Sequence, residues 1–262
     1  MQVISDIHLE HYKDKFAFTV PITAPYLILA GDIGNPYRAN YYCFLEWCDA
    51  NYEQVFLVSG NHEYYHGCKR RTITEVDEHI DTVTKKISQN LHYLKAGFCE
   101  PVRLNNIAVI GTTLWTQIPE KYHDHVQKGM NDYEFIYDDQ RKKITPKSTT
   151  EIHLAEKNWL EQHLNKISLD ETIEACIVIT HHLPSEKMLN PAYAHEVEIN
   201  TAYAADLEEM ILRHPKIRYW VNGHTHLSTE EKVGETSLFS NCYGYKNQQT
   251  GYAAERILKI NV

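Results

Sequence analysis

The stretch Val55-Phe56-Leu57-Val58-Ser59-Gly60-Asn61-His62-Glu63 places the strongest constraint on the fold. Four consecutive apolar residues read as a buried strand, and Ser-Gly stops it with a turn. An amide, an imidazole and a carboxylate follow at once. Four other apolar stretches end in the same way. Residues 2–4 run into Asp6-Ile7-His8, and Tyr26-Leu27-Ile28-Leu29-Ala30 runs into Gly31-Asp32. Cys176-Ile177-Val178-Ile179 leads to Thr180-His181-His182, and Tyr219-Trp220-Val221 to Asn222-Gly223-His224-Thr225-His226. Buried parallel strands carry such continuous apolar runs, and ligands of α/β folds sit beyond the carboxyl ends of those strands. The pattern predicts an α/β fold in which five segments bring carboxylate, amide and imidazole to one crevice.

The rest of the chain fits that frame. Residues 39–51 read as a helix with Phe44, Leu45 and Cys48 inward, and 74–88 as an amphipathic helix with Val76, Ile80, Val83 and Ile87 on one face. Ser148-Thr149-Thr150-Glu151 reads as a capping box opening a helix that turns Ile152, Ala155, Trp159, Leu160 and Leu164 inward. A short helix is expected around Leu207, Met210 and Ile211, a strand over 107–110, and closing antiparallel strands at 237–239 and 256–260. Between 116 and 147 the periodicity dissolves, which predicts an insertion or lid. With no internal repeat and no low-complexity linker, the 262 residues read as a single domain, 1–262.

Composition narrows the class. A hydrophobic content of 43% and a charged content of 23% are those of an ordinary globular protein. A net charge of −9 disfavours duplex nucleic acid as a partner. The longest apolar runs are too short to span a bilayer, so no membrane association is expected. The six cysteines form no Cys-x-x-Cys pair and Met1 leads straight into the first strand, so free thiols and a cytoplasmic location are expected.

Taken singly, such motifs are weak. A second Asp-x-His, Asp77 and His79, lies on the amphipathic helix, where residues two apart point about 200° apart and cannot share an ion. It reads as a solvated face. His123 and His125, in the irregular insertion, offer another metal-like pair and read as ordinary loop residues. What sets the five strand-ending clusters apart is their common context.

Their order, Asp6-x-His8, Gly31-Asp32, Gly60-Asn61-His62-Glu63, His181 and Gly223-His224-Thr225-His226, resembles the calcineurin-like metallophosphoesterase superfamily. The resemblance spans residues 6 to 226 and implies a four-layer α/β/β/α sandwich holding two divalent metal ions about 3.5–4 Å apart. It assigns Asp6, His8 and His226 to one ion and Asn61, His181 and His224 to the other, with Asp32 bridging. His181 is taken before His182 because it comes first after the strand. Carboxylate and imidazole suit Mn, Fe, Zn, Co or Ni. Two such ions can hold a bridging water and lower its pKa, so that a hydroxide attacks phosphorus in line with the leaving oxygen. His62, which is not a ligand in the family pattern, is placed to stabilise the phosphoryl group or protonate the leaving alkoxide.

Two departures matter. Serine/threonine phosphatases of this superfamily carry Gly-Asp-x-x-Asp-Arg-Gly and Arg-Gly-Asn-His-Glu. Here the segments read Gly31-Asp32-Ile33-Gly34-Asn35-Pro36 and Ser59-Gly60-Asn61-His62-Glu63. The phosphate-clamping arginine is missing, as is the carboxylate that would orient the histidine. The expected function is therefore hydrolysis of a small phosphorylated substrate, with a phosphodiester or small nucleotide favoured over a metabolite monoester. Two other classes compete. A non-catalytic scaffold of the same fold should have lost ligands, and a mononuclear iron oxygenase leaves Asp32, Asn61 and a histidine pair without a role. Specificity is expected in segments 116–147 and 185–203, with Tyr133, Tyr193, His195 and Asn200 as candidate substrate contacts.

Overall fold

The computed structural model describes residues 1–66 and 69–260. In chain order the elements are β1 (Gln2–Ile4), β2 (Tyr26–Ala30), α1 (Ala39–Asn51), β3 (Gln54–Val58), α2 (Ile73–Ile87), β4 (Leu91–Tyr93), β5 (Val102–Leu104) and β6 (Ile107–Thr112). There follow α3 (His123–Gly129), α4 (Asp132–Phe135), α5 (Pro146–Leu169), β7 (Ala175–Thr180), α6 (Val197–Asn200), α7 (Glu208–Arg213), β8 (Ile217–Asn222), β9 (Glu230–Val233) and β10 (Thr236–Ser240). One sheet has the order β1-β2-β3-β4 and is parallel throughout; the other has the order β5-β6-β7-β8-β10-β9, with antiparallel pairs only at its two edges.

Alternation along each strand builds the layers. Val3, Ile28, Phe56 and Val58 of the first sheet face Val109, Ile177, Ile179 and Val221 of the second in one apolar layer. On the first sheet's other face, Ile4, Leu27, Leu29, Val55 and Leu57 pack against Phe44, Leu45, Val76 and Ile80 of α1 and α2. Beyond the second sheet, Ile110, Val178 and Trp220 meet Leu160 and Leu164 of α5 and Met210 and Ile211 of α7. The result is the α/β/β/α sandwich. Five of its strands, β1, β2 and β3 from one sheet and β7 and β8 from the other, end beside one another. The strand endings thus converge from two facing sheets rather than along one edge.

Several expectations need correction. Helix α5 starts earlier than the Ser148–Glu151 motif implied. Thr145 is its N-cap, accepting from Ser148 N at 3.2 Å, while Ser148 Oγ accepts from Thr145 N at 2.7 Å. Pro146, with φ already set for a helix, occupies the first turn. Residues 256–260 form no strand: Ile257 makes one isolated bridge to Gln2, and Leu258 exchanges hydrogen bonds with Met1. β10 pairs with β8 in parallel and with β9 antiparallel.

Asp77 is not on a solvated face. It is 2% exposed and accepts from the hydroxyls of Tyr64 and Tyr93, each at 2.6 Å. Lys95 lies 3.6 Å from it and 2.8 Å from Glu156, making a buried charge cluster that ties α2 to α5. His79 stacks on Tyr37 with ring centroids 3.9 Å apart. His123 bonds the carbonyl of Ile118, and His125 is an exposed rim residue. Five cysteines carry free thiols, and Cys68 lies outside the described residues. Among those residues no helix is long and apolar enough to cross a membrane.

Candidate metal centre

The strand endings reach the site by abrupt backbone reversals. Five of the seven expected ligands have left-handed backbone: Asp6 (φ 55°), His8 (53°), Asp32 (53°), His224 (75°) and His226 (50°). For a residue with a Cβ this costs about 1–2 kcal/mol, and such strain persists where the surrounding fold over-determines it, characteristically at functional sites. Here that restraint is the bonding between endings: Asp6 N to Gly31 O, His8 N to Asp32 O and Gly223 N to His181 O, each 3.0 Å. Gly31 (φ 85°) and Gly60 permit the close approach. A Cβ on Gly31 would strike the His181 ring, and one on Gly60 would strike the Asp32 carboxylate.

The side chains gather into two adjoining groups, Asp6, His8 and His226, and Asp32, His181 and His224. His8 Nε2 is 3.0 Å from His226 Nε2, which is 3.5 Å from Asp6 Oδ1. His181 Nε2 is 3.2 Å from His224 Nδ1, 3.1 Å from Asn61 Oδ1 and 3.5 Å from Asp32 Oδ2. Asp32 Oδ2 also lies 3.8 Å from His8 Nε2, so this carboxylate stands between the groups. Ligands about 2.1 Å from one cation lie about 3.0–3.4 Å apart in octahedral or tetrahedral arrangement; the imidazole and amide donors stand at 3.0–3.2 Å, and the carboxylate oxygens slightly farther, at 3.5–3.8 Å. The far sides of three of the four imidazoles are held as a metal site requires, while His224 Nε2 meets no partner among the described residues. His181 Nδ1 donates to Ala30 O (2.9 Å), while His8 Nδ1 meets Glu10 (3.0 Å) and His226 Nδ1 meets Gln248 Oε1 (2.6 Å). Each contact leaves the other ring nitrogen's lone pair facing inward. His182 is turned away, its Nδ1 3.3 Å from Thr113 O and its ring against Trp115.

The electrostatics are those of a cation site. Burial alone would raise the Asp32 pKa, but His181, His62 and His8 hold the carboxyl well below its ordinary range. Burial would likewise discharge His181, yet Asp32 raises it to about 10. Negative charge that a proton answers in the metal-free protein is available to a divalent ion. Burial pushes His182 down to about 3 and lowers His224, consistent with neutral imidazoles.

His62 lies beside the cluster, its backbone N–H donating to Asp32 Oδ1 at 2.8 Å. Its carboxylate partner, absent from the expected motif, is Glu10, whose Oε1 is 2.8 Å from His62 Nδ1 and 3.0 Å from His8 Nδ1. Against burial, Asp32 and Glu10 raise His62 to about 9 in the metal-free protein. Glu63 serves the scaffold: wholly buried, it accepts from the backbone N–H groups of Asp32, Ile33 and Gly60.

Two cavities open from the centre. One, of about 520 Å³, lies between the 116–147 and 185–203 segments and is lined by Asp32, Asn61, His224 and His226 together with Asn131, Asp132, Tyr193, Asn200 and Tyr203. The other, of about 1010 Å³, is lined by His8, Glu10, Tyr12, Phe16 and Phe135 with Lys13, Lys15 and Lys246. His62, Tyr65, Asn131 and Tyr245 line both, and among the described residues neither is lined by an arginine. Of the four expected substrate contacts, Tyr193 and Asn200 line the first cavity. Tyr133 does not: it is 4% exposed in the core, its hydroxyl 3.3 Å from Thr149 Oγ1. His195 projects into solvent beside Glu196, away from both cavities. Tyr203, stacked on His224 at 4.2 Å, and Tyr245, 4.6 Å from His226, went unrecognised, since nothing distinguishes them among 18 tyrosines.

Comparison with known proteins accords with this arrangement. The sequence profile of the calcineurin-like phosphoesterases matches residues 3–228. An uncharacterized protein of Acanthamoeba polyphaga mimivirus is 30% identical over 272 aligned positions, covering 96% of this chain and 93% of the viral one. Among solved structures, the phosphopantetheinyl hydrolase of Mycobacterium tuberculosis superposes with a TM-score of 0.69 at 14% identity, over 93% of this chain and 89% of that one, a likeness of fold. The chain belongs to the calcineurin-like phosphoesterase family and is a phosphoester hydrolase of the metallophosphoesterase fold.

Proposed function

We propose that this protein is a dinuclear metal-dependent phosphohydrolase that prefers phosphodiesters or small nucleotides to phosphomonoesters. Asp6, His8 and His226 hold one divalent ion, Asn61, His181 and His224 the second, and Asp32 bridges them. Bound there, the ions supply Lewis acidity and a water acidified enough to act as nucleophile at neutral pH. The chain supplies the rest. His62, whose protonated form Glu10 favours through its bond to Nδ1, gives its proton to the leaving oxygen, and the Glu10 carboxylate balances the charge of the ring. Tyr193 and Asn200 contact the substrate from the first cavity.

The observation that carries the diester preference is the pair of cavities meeting at His62 with no arginine lining either among the described residues. A diester has two arms on phosphorus, and each cavity accommodates one. It carries a single negative charge at the reacting phosphate, whereas a dianionic monoester calls for a further cation close by, the place an arginine clamp fills in protein phosphatases. The three lysines of the larger cavity suit an arm bearing another anionic group. The test is kcat/KM for bis-nitrophenyl phosphate against nitrophenyl phosphate with the same metal. A monoester preference of about tenfold or more, roughly 1.4 kcal/mol in the transition state, overturns this reading.

A further inference from the structure

Asn61 is the one neutral amide in the proposed ligand set, and only its oxygen can bind a cation. The two ends of a carboxamide have nearly the same shape, so a half-turn costs little in packing and would present N–H groups to the ion instead. Something must select the end. Asn61 Oδ1 points at His181 Nε2, while Asn61 Nδ2 donates to Asp132 Oδ1 at 2.8 Å and to the Tyr65 hydroxyl at 3.2 Å. Tyr65 in turn donates its one proton to the same Asp132 oxygen. The triangle closes in a single sense. An ionised carboxylate only accepts and the phenol has spent its proton, so both partners require the amine end of Asn61.

Asp132 is 2% exposed and begins α4, within the segment that walls the substrate cavity. Burial raises its pKa, and the bonds from Tyr65 and Asn61 oppose that rise. We infer that Asp132 is a positioning residue for the second ion: it fixes the Asn61 amide with its oxygen inward, so that the 116–147 segment builds the metal centre as well as covering it. The inference rests on the dinuclear reading above for the ion and on the geometry alone for the amide.

The experiment exchanges the two groups. Metal-free protein is titrated calorimetrically with Mn²⁺ alone. The wild type takes two ions. Asp132→Asn, nearly the same shape but able to donate as well as accept, weakens the second ion by about 10–100-fold, the usual cost of removing a group that orients a ligand. Asn61→Asp faces two carboxylates at hydrogen-bond distance and also loses that ion's affinity. The double variant Asn61→Asp/Asp132→Asn restores donor and acceptor in reversed order and binds the second ion at least tenfold tighter than either single variant. A double variant no better than the worse single one overturns the inference, as does Asp132→Asn with wild-type affinity at both ions.

A readout free of metal separates this from the dinuclear reading. The Asn61 side-chain amide resonances, identified by their loss in Asn61→Asp, are protected from solvent exchange in metal-free wild type. They lose that protection in Asp132→Asn and keep it in Asp124→Asn, an exposed carboxylate on α3 of the same segment. A wild type that binds one ion but shows these amide effects overturns the dinuclear reading and upholds the orientation by Asp132. Unprotected amide resonances in the wild type overturn the orientation whatever the ion count.

Discussion

The candidate metal centre is built by two regions of opposite character. The strand endings supply the seven proposed ligands from short, largely buried runs, and their backbone is strained and cross-bonded. The 116–147 and 185–203 segments are short helical turns over the mouth, and they supply cavity walls and the carboxylate that holds Asn61. The first region is held by backbone bonds between endings that come from two facing sheets. The second is anchored in the core by Ile118, Val126, Ile136 and Ile144 and turns polar and aromatic side chains to the cavity. In the proposed reading, chemistry falls to the strand endings and selection to the covering segments, with Asp132 as the exception.

Changes at the strand endings should cost the most. Asp32→Asn removes the only charge shared by both ions, and its loss of turnover should exceed about 10⁴-fold, the upper figure for losing a positioned acid or base. Metal analysis after mild purification should find fewer than two ions. Two ions with full turnover would show that Asp32 does not bridge.

His62→Asn should retain both ions and slow turnover by about 10²–10⁴-fold. The loss should shrink for nitrophenyl esters, whose leaving groups need little protonation. An equal loss on good and poor leaving groups would assign His62 to phosphate stabilisation instead.

Glu10→Gln should cost about 10–100-fold, with the same dependence on leaving group, because Glu10 acts through His62. In the double variant with His62→Asn the further loss should shrink to what Glu10 supplies by holding His8 Nδ1. Full additivity would separate the two residues.

The smallest effects belong to the mouth. Tyr193→Ala and Asn200→Ala should raise KM by less than about tenfold with kcat nearly unchanged, the signature of uniform binding. Tyr133→Phe should leave both constants alone and cost about 0.5–1.5 kcal/mol in denaturant unfolding, through its bond to Thr149. A fall in kcat at any of the three would erase the division between the two regions.

The sequence by itself determined the sandwich and the strand endings from which the proposed ligands come. Apolar runs closed by Gly or Ser and followed by Asp, Asn or His write burial, turn and chemistry into consecutive residues, so each ending was legible locally. Helices α1 and α2 were legible for the same reason, since periodicity is a local signal. Tertiary structure alone decided what depended on partners far apart in the chain. Glu10 became the partner of His62 across 52 residues, and Asp132 met Asn61 across 71. Asp77 had the spacing of an exposed position, and two tyrosines and Lys95 drew it into the interior. The edge strand β9 reads Glu-Glu-Lys-Val, without an apolar run, and exists because β10 offers it a free row of backbone groups. Hydrogen bonds and ion pairs between distant segments leave no periodic trace along the chain, because distance in sequence sets no limit on contact in the folded state.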